Sequence, residues 1–136
     1  MTTYPNATHV SEHFTWEEVR CHCGCPLMVD VKKKAAKQAA ALEKFRRAIG
    51  NLPVSVHCWH RCAGQNAKVG GAKASKHMEG SATDLHVAGI PHAKLREVAR
   101  AIPEFIIGGI GIYDWGVHLD TAVDRVNRPA QWDERT

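Results

Sequence analysis

The sequence predicts one α+β domain over residues 1–136, in which a small, mostly antiparallel sheet packs against helices. One long segment carries apolar residues at helical spacing, several short segments alternate as strands do, and no repeat or low-complexity linker divides the chain. The 136 residues are 44% hydrophobic and 24% charged, a profile typical of a domain that folds without disulfide bonds or structural metal ions. Any cysteine or metal site therefore needs an explanation from chemistry or local order.

Two helices are predicted in the first part of the chain. Thr15 and Glu18 fit a capping box, so a short helix is expected to run through Trp16 and Val19. Residues 30–49 are rich in Ala, Lys, Leu and Arg, with apolar positions at helical spacing up to a glycine where a helix should stop. This segment predicts the longest helix of the domain.

The remaining predicted elements are short. We expect strands over residues 54–57, 82–87, 109–113 and 117–120, a helix over residues 91–101, and a loop rich in Gly, Ala and Asn over residues 63–74. The last residues, 127–136, are polar around Trp132, and we expect that ring to dock on the body of the domain.

The net charge of +4 favours anionic partners, among them the bacterial cell wall. Lysines and arginines are spread along the chain, and the lysines at residues 32–34 fit the solvated start of a helix better than a nucleic-acid-binding patch. We therefore expect no nucleic-acid partner. No apolar run approaches the roughly 20 residues that cross a membrane, so no membrane span is expected either.

Residues 1–10 lack the basic start and the apolar stretch of a secretory signal. We therefore expect synthesis in the cytoplasm without a signal peptide. The sequence does not specify an oligomeric state, and a monomer is our expectation.

Five cysteines leave at least one thiol unpaired unless the chain binds a metal or pairs with another chain. Cys21, Cys23 and Cys25 lie too close in sequence to bridge readily to one another. A metal, a partner such as Cys62 or Cys58, and reduced thiols remain as explanations. Because the usual zinc-knuckle spacing is absent, structural cysteines, reduced or in disulfides, are favoured over a second metal site.

Two histidines and a carboxylate form a candidate metal site. His77 lies in a loop seven residues before Asp84, which falls on a predicted strand, and His118 falls on the last predicted strand. Two imidazoles and one carboxylate are a known catalytic zinc set that leaves a fourth position to water, and they suit zinc better than magnesium. Spacing alone is equally compatible with three residues that share no purpose.

Residues 75–84 and 117–120 resemble the motifs S-x-H-x-x-G-x-A-x-D and H-x-D of the zinc D-alanyl-D-alanine carboxypeptidase family. That family includes phage endolysins that cut the L-alanyl-D-glutamate bond, the VanX dipeptidases and the metal-binding fold of hedgehog domains. Further segments are similar to a small phage and bacterial branch: residues 11–14, 23–25, 61–66, 69–72, 109–113 and 128–132. The resemblance implies the fold of these peptidases.

The resemblance also implies roles for individual residues. His77, Asp84 and His118 match the ligands of Zn²⁺. Arg61 matches an arginine that holds the substrate carbonyl or the developing oxyanion, where a fixed cation is worth a few kcal/mol. Ser75 is expected to form a hydrogen bond near the site and to contact substrate.

The general base departs from the family pattern. Better-known members carry Glu or Asp three residues before the last histidine, and Trp115 occupies that position here. We predict Asp114 as the base, brought to the metal-bound water by a bulge or turn. Other candidates are Asp120, which we expect to orient His118 instead, and Glu79, His57 and His60.

The wall of the substrate site departs from the pattern as well, because residues 57–61 replace the usual S-G-Y-R. Trp59 and Trp115 are candidates to stack on a muropeptide or sugar, although a buried aromatic is the commoner outcome for either.

These observations predict a zinc peptidase that hydrolyses a peptide bond in the stem peptide of bacterial peptidoglycan, as a carboxypeptidase or as an endolysin-type endopeptidase. A phage lysin or prophage component fits the expected lack of a signal. The alternative is a zinc-stabilised module that binds cell wall or protein without catalysis, which the missing carboxylate at Trp115 favours.

Overall fold

The computed structural model describes residues 2–72, 75–123 and 127–136. Its elements follow in chain order. They are β1 His9–Ser11, β2 Phe14–Thr15, α1 Trp16–Val19, α2 Val29–Ala48, β3 Ser55–Cys58, α3 Ala63–Lys68, a 3₁₀ helix Lys76–Glu79, β4 Ala82–His86, α4 His92–Ala99, α5 Pro103–Ile106, β5 Gly109–Tyr113, β6 Gly116–Asp120 and β7 Ala130–Asp133.

A five-stranded sheet in the order β3-β4-β6-β5-β7 organises the fold, and β1 and β2 form a separate antiparallel pair. Within the large sheet, three neighbouring pairs are antiparallel and only β5 and β7 run parallel. The predicted α+β class with a mostly antiparallel sheet is therefore confirmed.

The two predicted N-terminal helices form as the sequence indicates. Thr15 caps α1, and the reciprocal bond from the Thr15 backbone to the Glu18 side chain completes the capping box. In α2, Ala35, Ala39 and Phe45 repeat at helical spacing and are fully buried. This spacing lays one face of α2 on the core.

The core lies between the helices and one face of the large sheet. Strand residues alternate, so Leu85 and Leu119 point into the core while Asp84 and His118 point to the opposite face. Gln38 on α2 donates to the Leu119 carbonyl oxygen at 2.8 Å and ties helix to sheet. The face away from α2 is therefore the one that carries titratable side chains.

One prediction about the connecting segments needs correction, and one strand was not predicted. Residues 63–68 are not a loop, because they form α3, whose N-cap Cys62 accepts a hydrogen bond through Sγ from the Gln65 backbone. Residues 130–133 form β7, since pairing of the main chain with the edge of β5 needs no apolar alternation. The expected docking of Trp132 is confirmed, as its Nε1 donates to the Tyr113 hydroxyl at 2.7 Å.

In the described part of the chain, every helix is too short or too polar to traverse a lipid bilayer.

Candidate metal centre

Adjacent strands bring Asp84 and His118 together. They are directly paired across β4 and β6, and both side chains point away from the core. On the other side of β6, Gly111 of β5 pairs with His118. A side chain at Gly111 would collide with the Trp132 ring, 2.4 Å from the ideal Cβ position. The glycine therefore lets the indole lie beside His118, with ring centroids 5.1 Å apart.

The 3₁₀ helix delivers His77 to the same place. It starts at Ser75, whose Oγ accepts from the His77 backbone at 3.3 Å, and it stops at Gly80 with a φ of 81°. The His77 carbonyl oxygen accepts from the Arg61 backbone at 3.0 Å. These bonds attach the helix to the segment that follows β3.

The three side chains converge on one point. His77 Nε2 and His118 Nδ1 each lie 3.1 Å from the same Asp84 oxygen, Oδ1. Tetrahedral zinc with bonds of about 2.0 to 2.1 Å would place its ligand atoms roughly 3.3 Å apart. The two distances to Asp84 are close to this spacing.

The other nitrogen of each imidazole is held by an acceptor. His77 Nδ1 donates to the Trp59 carbonyl oxygen at 2.7 Å, and His118 Nε2 bonds Asp120 Oδ2 at 2.8 Å. Such partners fix the tautomer and the orientation of a metal-binding histidine. The lone pairs of His77 Nε2 and His118 Nδ1 are consequently free for a metal.

Asp120 is fully buried and is itself fixed by Arg128. The guanidinium donates through Nε to Oδ1 at 3.1 Å and through Nη2 to Oδ2 at 2.8 Å. Burial raises the pKa of Asp120, but the bonds from His118 and Arg128 outweigh burial and lower it below its usual value. Asp120 thus stays ionised and orients His118, as expected from the sequence.

The electrostatics of the three converging residues favour a bound cation. Burial raises the pKa of Asp84, but bonds from His118 and His77 reverse this and hold it well below its usual range. Burial lowers the pKa of both histidines, whereas Asp84 raises it for His77, and Asp120 and Asp84 raise it for His118. The carboxylates therefore favour positive charge at these nitrogens, which protons supply without a metal and which a bound cation would supply in their place.

A cleft of about 460 Å³ opens above these residues and brings predicted site residues together. Arg61, Ser75 and Trp115 all line it beside the three candidate ligands. Arg61 Nη2 donates to Ser75 Oγ at 3.1 Å, while the buried Arg61 Nε has no partner among the residues that the structure describes. Trp115 is 40% exposed and stacks on Tyr113 with centroids 4.6 Å apart.

The predicted substrate contact of Trp59 is wrong. Its side chain is fully buried, its ring meets Phe14 edge to face, and its Nε1 donates to the Gly80 carbonyl oxygen at 2.9 Å. Trp59 therefore serves the site only through its backbone carbonyl, which holds His77.

Asp114 lies away from the converging residues. Tyr113 pairs with Gly116, so Asp114 and Trp115 form the turn between β5 and β6. Its exposed carboxylate accepts from the Thr136 hydroxyl at 2.6 Å, and bonds from Thr136 lower its pKa. Among the described residues, those lining the cleft include its two neighbours and not Asp114.

The other candidate bases have different surroundings. Both oxygens of Asp120 are bonded to Arg128, and Glu79 pairs with Lys34 beside a separate pocket. His60 is buried against the His77 carbonyl oxygen at 3.2 Å. His57 lies 2.6 Å from the His86 ring, nitrogen to nitrogen.

Sequence reasoning missed four residues at this site. Tyr113, Arg128 and Trp132 line the cleft, and Cys58 Sγ lies within 4.8 Å of ligand atoms of His77 and Asp84. Cys58 pairs with Asp84 across β3 and β4, so strand adjacency was the signal for it. Arg128 and Trp132 lie in a segment without a strand pattern, and the signal for them was the resemblance of residues 128–132 to the phage and bacterial branch.

An open cleft with two imidazoles and a carboxylate at its floor is typical of a metal-dependent hydrolase. The chain belongs to the Peptidase M15 family, whose model matches residues 12–120. The match spans all three converging residues and Arg61. The family and the peptidase class predicted from the sequence motifs are thereby confirmed.

An alignment over 78 residues, which covers 52% of this chain, shows 35% identity to the probable peptidoglycan L,D-endopeptidase MepK of Haemophilus influenzae. The similarity covers 40% of that protein's length.

Proposed function

We propose that this chain is a zinc-dependent peptidase that hydrolyses a peptide bond in the stem peptides of bacterial peptidoglycan. The observation that carries the proposal is the convergence of His77 Nε2 and His118 Nδ1 on Asp84 Oδ1 beneath an open cleft. Membership of a peptidase family and similarity to a probable peptidoglycan endopeptidase support the substrate class.

His77, Asp84 and His118 would hold the zinc ion, with the remaining position directed to the cleft. When bound, zinc would polarise the scissile carbonyl group and lower the pKa of a bound water to about 7. Asp120 holds His118 with its Nδ1 facing Asp84, and the Trp59 carbonyl does the same for His77 Nε2, so both nitrogens would be available to the ion.

Arg61 would stabilise the negative charge that develops on the carbonyl oxygen of the substrate. Its Nη2 is anchored to Ser75, and its side chain lines the cleft. A cation held in this way needs little rearrangement during the reaction, which is the basis of electrostatic catalysis. Ser75 acts here by positioning the guanidinium.

Tyr113 and Trp115 would form the aromatic side of the substrate site. The Tyr113 oxygen accepts from Trp132 Nε1, so its own hydroxyl hydrogen is available to a polar group of the peptide. The exposed Trp115 ring, stacked on Tyr113, offers an apolar surface to peptide or sugar. The net charge of +4 suits the carboxylates of the cell wall.

Asp114 as the general base stays a prediction from the sequence alone, and its position outside the cleft lining favours a minor role. To take a proton from the attacking water, its carboxylate must leave Thr136 and turn toward the cleft.

An internal bond of the stem or of its cross-link is the favoured target, because the relative in Haemophilus influenzae is described as an L,D-endopeptidase. Removal of a terminal D-alanine is the competing activity. We further propose a phage or prophage origin and action on the cell wall, on the resemblance of the motifs to the phage and bacterial branch of these peptidases.

Digestion of purified muropeptides, followed by mass spectrometry, tests the proposal. The full chain is assayed as isolated, after chelation and after return of zinc. We expect zinc-dependent cleavage, with a split stem for an endopeptidase and the loss of one alanine for a carboxypeptidase. Stoichiometric zinc without cleavage of any muropeptide would contradict a peptidase and favour a non-catalytic binding module.

A further inference from the structure

Four of the five cysteines form a cluster outside the cleft. Cys21, Cys23, Cys25 and Cys62 have sulfur atoms that all lie within 4.8 Å of one another. Cys62 is distant in sequence from the other three and is brought to them by the fold. The mechanism proposed above uses none of these thiols.

The distances among the sulfurs of Cys21, Cys23 and Cys62 are close to those of one tetrahedral ion, and the Cys25 sulfur lies within 4.8 Å of each of them. Zinc–sulfur bonds of about 2.3 Å place the sulfurs of a tetrahedral site roughly 3.8 Å apart. The Cys21–Cys62 and Cys23–Cys62 distances are 3.8 and 3.6 Å, and the Cys21–Cys23 distance is 3.2 Å. All four thiols are free, and their separations are too large for a disulfide bond and too small to enclose an iron–sulfur cluster.

Backbone groups support this arrangement. The Gln65 N–H donates to Cys62 Sγ at 3.4 Å, and the Cys62 N–H donates to Cys21 Sγ at 3.5 Å. Donors of this kind stabilise the thiolates that a metal requires. Gly24, with a φ of 80° and an N–H bonded to the Cys21 carbonyl oxygen at 2.9 Å, makes the turn that folds Cys23 and Cys25 back on Cys21.

We propose that Cys21, Cys23, Cys25 and Cys62 bind a second zinc ion, in a closed, structural site. Four thiolate ligands leave no position for water or substrate, and all-sulfur tetrahedral sites select zinc. The site would join residues 21–25 to the residue that follows Arg61. It would thereby fix one wall of the cleft from outside.

Metal analysis of the full chain, purified with zinc, tests the inference. We expect two zinc ions per chain in the wild type. Cys23→Ser, which changes an exposed thiol, should retain one zinc ion, and its melting temperature should fall by on the order of 10 °C because the cross-link between distant segments is lost. His118→Ala should also retain one zinc ion, but in the cysteine cluster.

Cobalt substitution distinguishes the two sites and does not depend on folding of a variant. Thiolate ligation to Co²⁺ gives an intense near-ultraviolet absorption, which we expect in the wild type and in His118→Ala. Cys58→Ser is the matched control, because it removes the fifth cysteine, which lies beside the site of His77, Asp84 and His118 (the His–Asp site). This variant should keep the absorption. Loss of the absorption in Cys58→Ser alone would place the cobalt-bound thiolate at the site of His77, Asp84 and His118. That result would contradict the inference.

Besides loss of the cobalt absorption in Cys58→Ser alone, three results would overturn the inference: one zinc ion per chain that is kept in Cys23→Ser, no thiolate absorption with cobalt, or a denatured mass lower by two hydrogens for each disulfide. None of these depends on enzymatic activity. A failure of the proposed function would instead appear as an unchanged zinc content in His118→Ala.

Discussion

The His–Asp site and the cysteine cluster hold their donor atoms at similar spacings but in different surroundings. The His–Asp site has three donors, which come from β4, β6 and the 3₁₀ helix and border the cleft. The cysteine donors come from a loop and from the cap of α3, and they number four. An incomplete ligand set on rigid elements suits catalysis, whereas a complete set between distant segments suits stability.

The largest contrast is expected from His118→Ala. Removing this ligand should lower peptidase activity by at least about a thousandfold, since several kcal/mol of metal catalysis are lost. The melting temperature of the zinc-loaded protein should change far less than in Cys23→Ser. Calorimetry and a muropeptide assay measure the two effects, with His9→Ala in β1 as the histidine control. An active His118→Ala variant would contradict the assignment of the catalytic site.

Arg61→Ala distinguishes an effect on the cleft from an effect on either candidate metal site. We expect kcat to fall by about 10²- to 10³-fold, because the donor to the developing oxyanion is lost. Zinc content should stay at the wild-type value. Arg61→Lys should restore part of the activity, since a cation returns without the planar geometry of guanidinium. An unchanged kcat in Arg61→Ala would remove Arg61 from the mechanism.

Asp120→Asn tests whether the carboxylate that holds His118 affects zinc binding at the His–Asp site without affecting the cysteine cluster. Loss of the carboxylate that holds His118 Nε2 should weaken zinc binding there about 10- to 100-fold. Competition with a chelator, followed by metal analysis, measures the affinity of each site. Asp133→Asn, which affects a carboxylate bonded to Arg135 at the surface, is the control. Equal weakening in both variants would argue against a specific role for Asp120.

The pH dependence of stability should also change sign with metal. Folding raises the pKa of His77 and His118, so protonation stabilises the metal-free protein below about 6.5 and this contribution is lost as pH rises through the raised values. Zinc competes with those protons, so the zinc-bound protein should gain stability over the same range. We expect the melting temperature of the metal-free protein to fall as the pH rises above about 6.5.

The difference between wild type and His118→Ala isolates this effect from that of other histidines. The decline without metal should be smaller in the variant. A decline of equal size in both proteins would show that other groups cause it.

The smallest effect is expected for Asp114→Asn. Because the carboxylate is exposed and bonded to Thr136, we expect less than about a tenfold loss of kcat. A loss greater than about a hundredfold, with zinc retained, would establish Asp114 as the general base. Thr136→Ala is the companion variant, since it releases the carboxylate without removing it.

Local patterns in the sequence predicted most of the fold. The buried spacing of Ala35, Ala39 and Phe45 predicted α2, and the motif around His77 and Asp84 predicted the converging ligands. These features depend on neighbours within one element or on motifs that the family shares. The family motifs gave the candidate ligands, while strand pairing between Asp84 and His118 explains why these two side chains converge.

What the sequence did not predict depends on one-residue register or on distant contacts. Asp114 and Trp115 occupy one turn, and only the fold decides which of them borders the cleft. The four cysteine sulfurs meet because the segment after β3 returns to residues 21–25, which no local pattern encodes. Arg128 reaches Asp120 in the same way, from a polar segment without periodicity.

The family match ends at residue 120, but the supports of the site continue beyond it. A recombinant fragment trimmed to that boundary would lack Arg128, leaving the buried Asp120 carboxylate without its counter-ion. It would also lack β7, so the unpaired main-chain groups of β5 would form an exposed strand edge that can pair with another chain. Expression trials with such a fragment should yield aggregated protein even though every candidate ligand of the His–Asp site is still encoded.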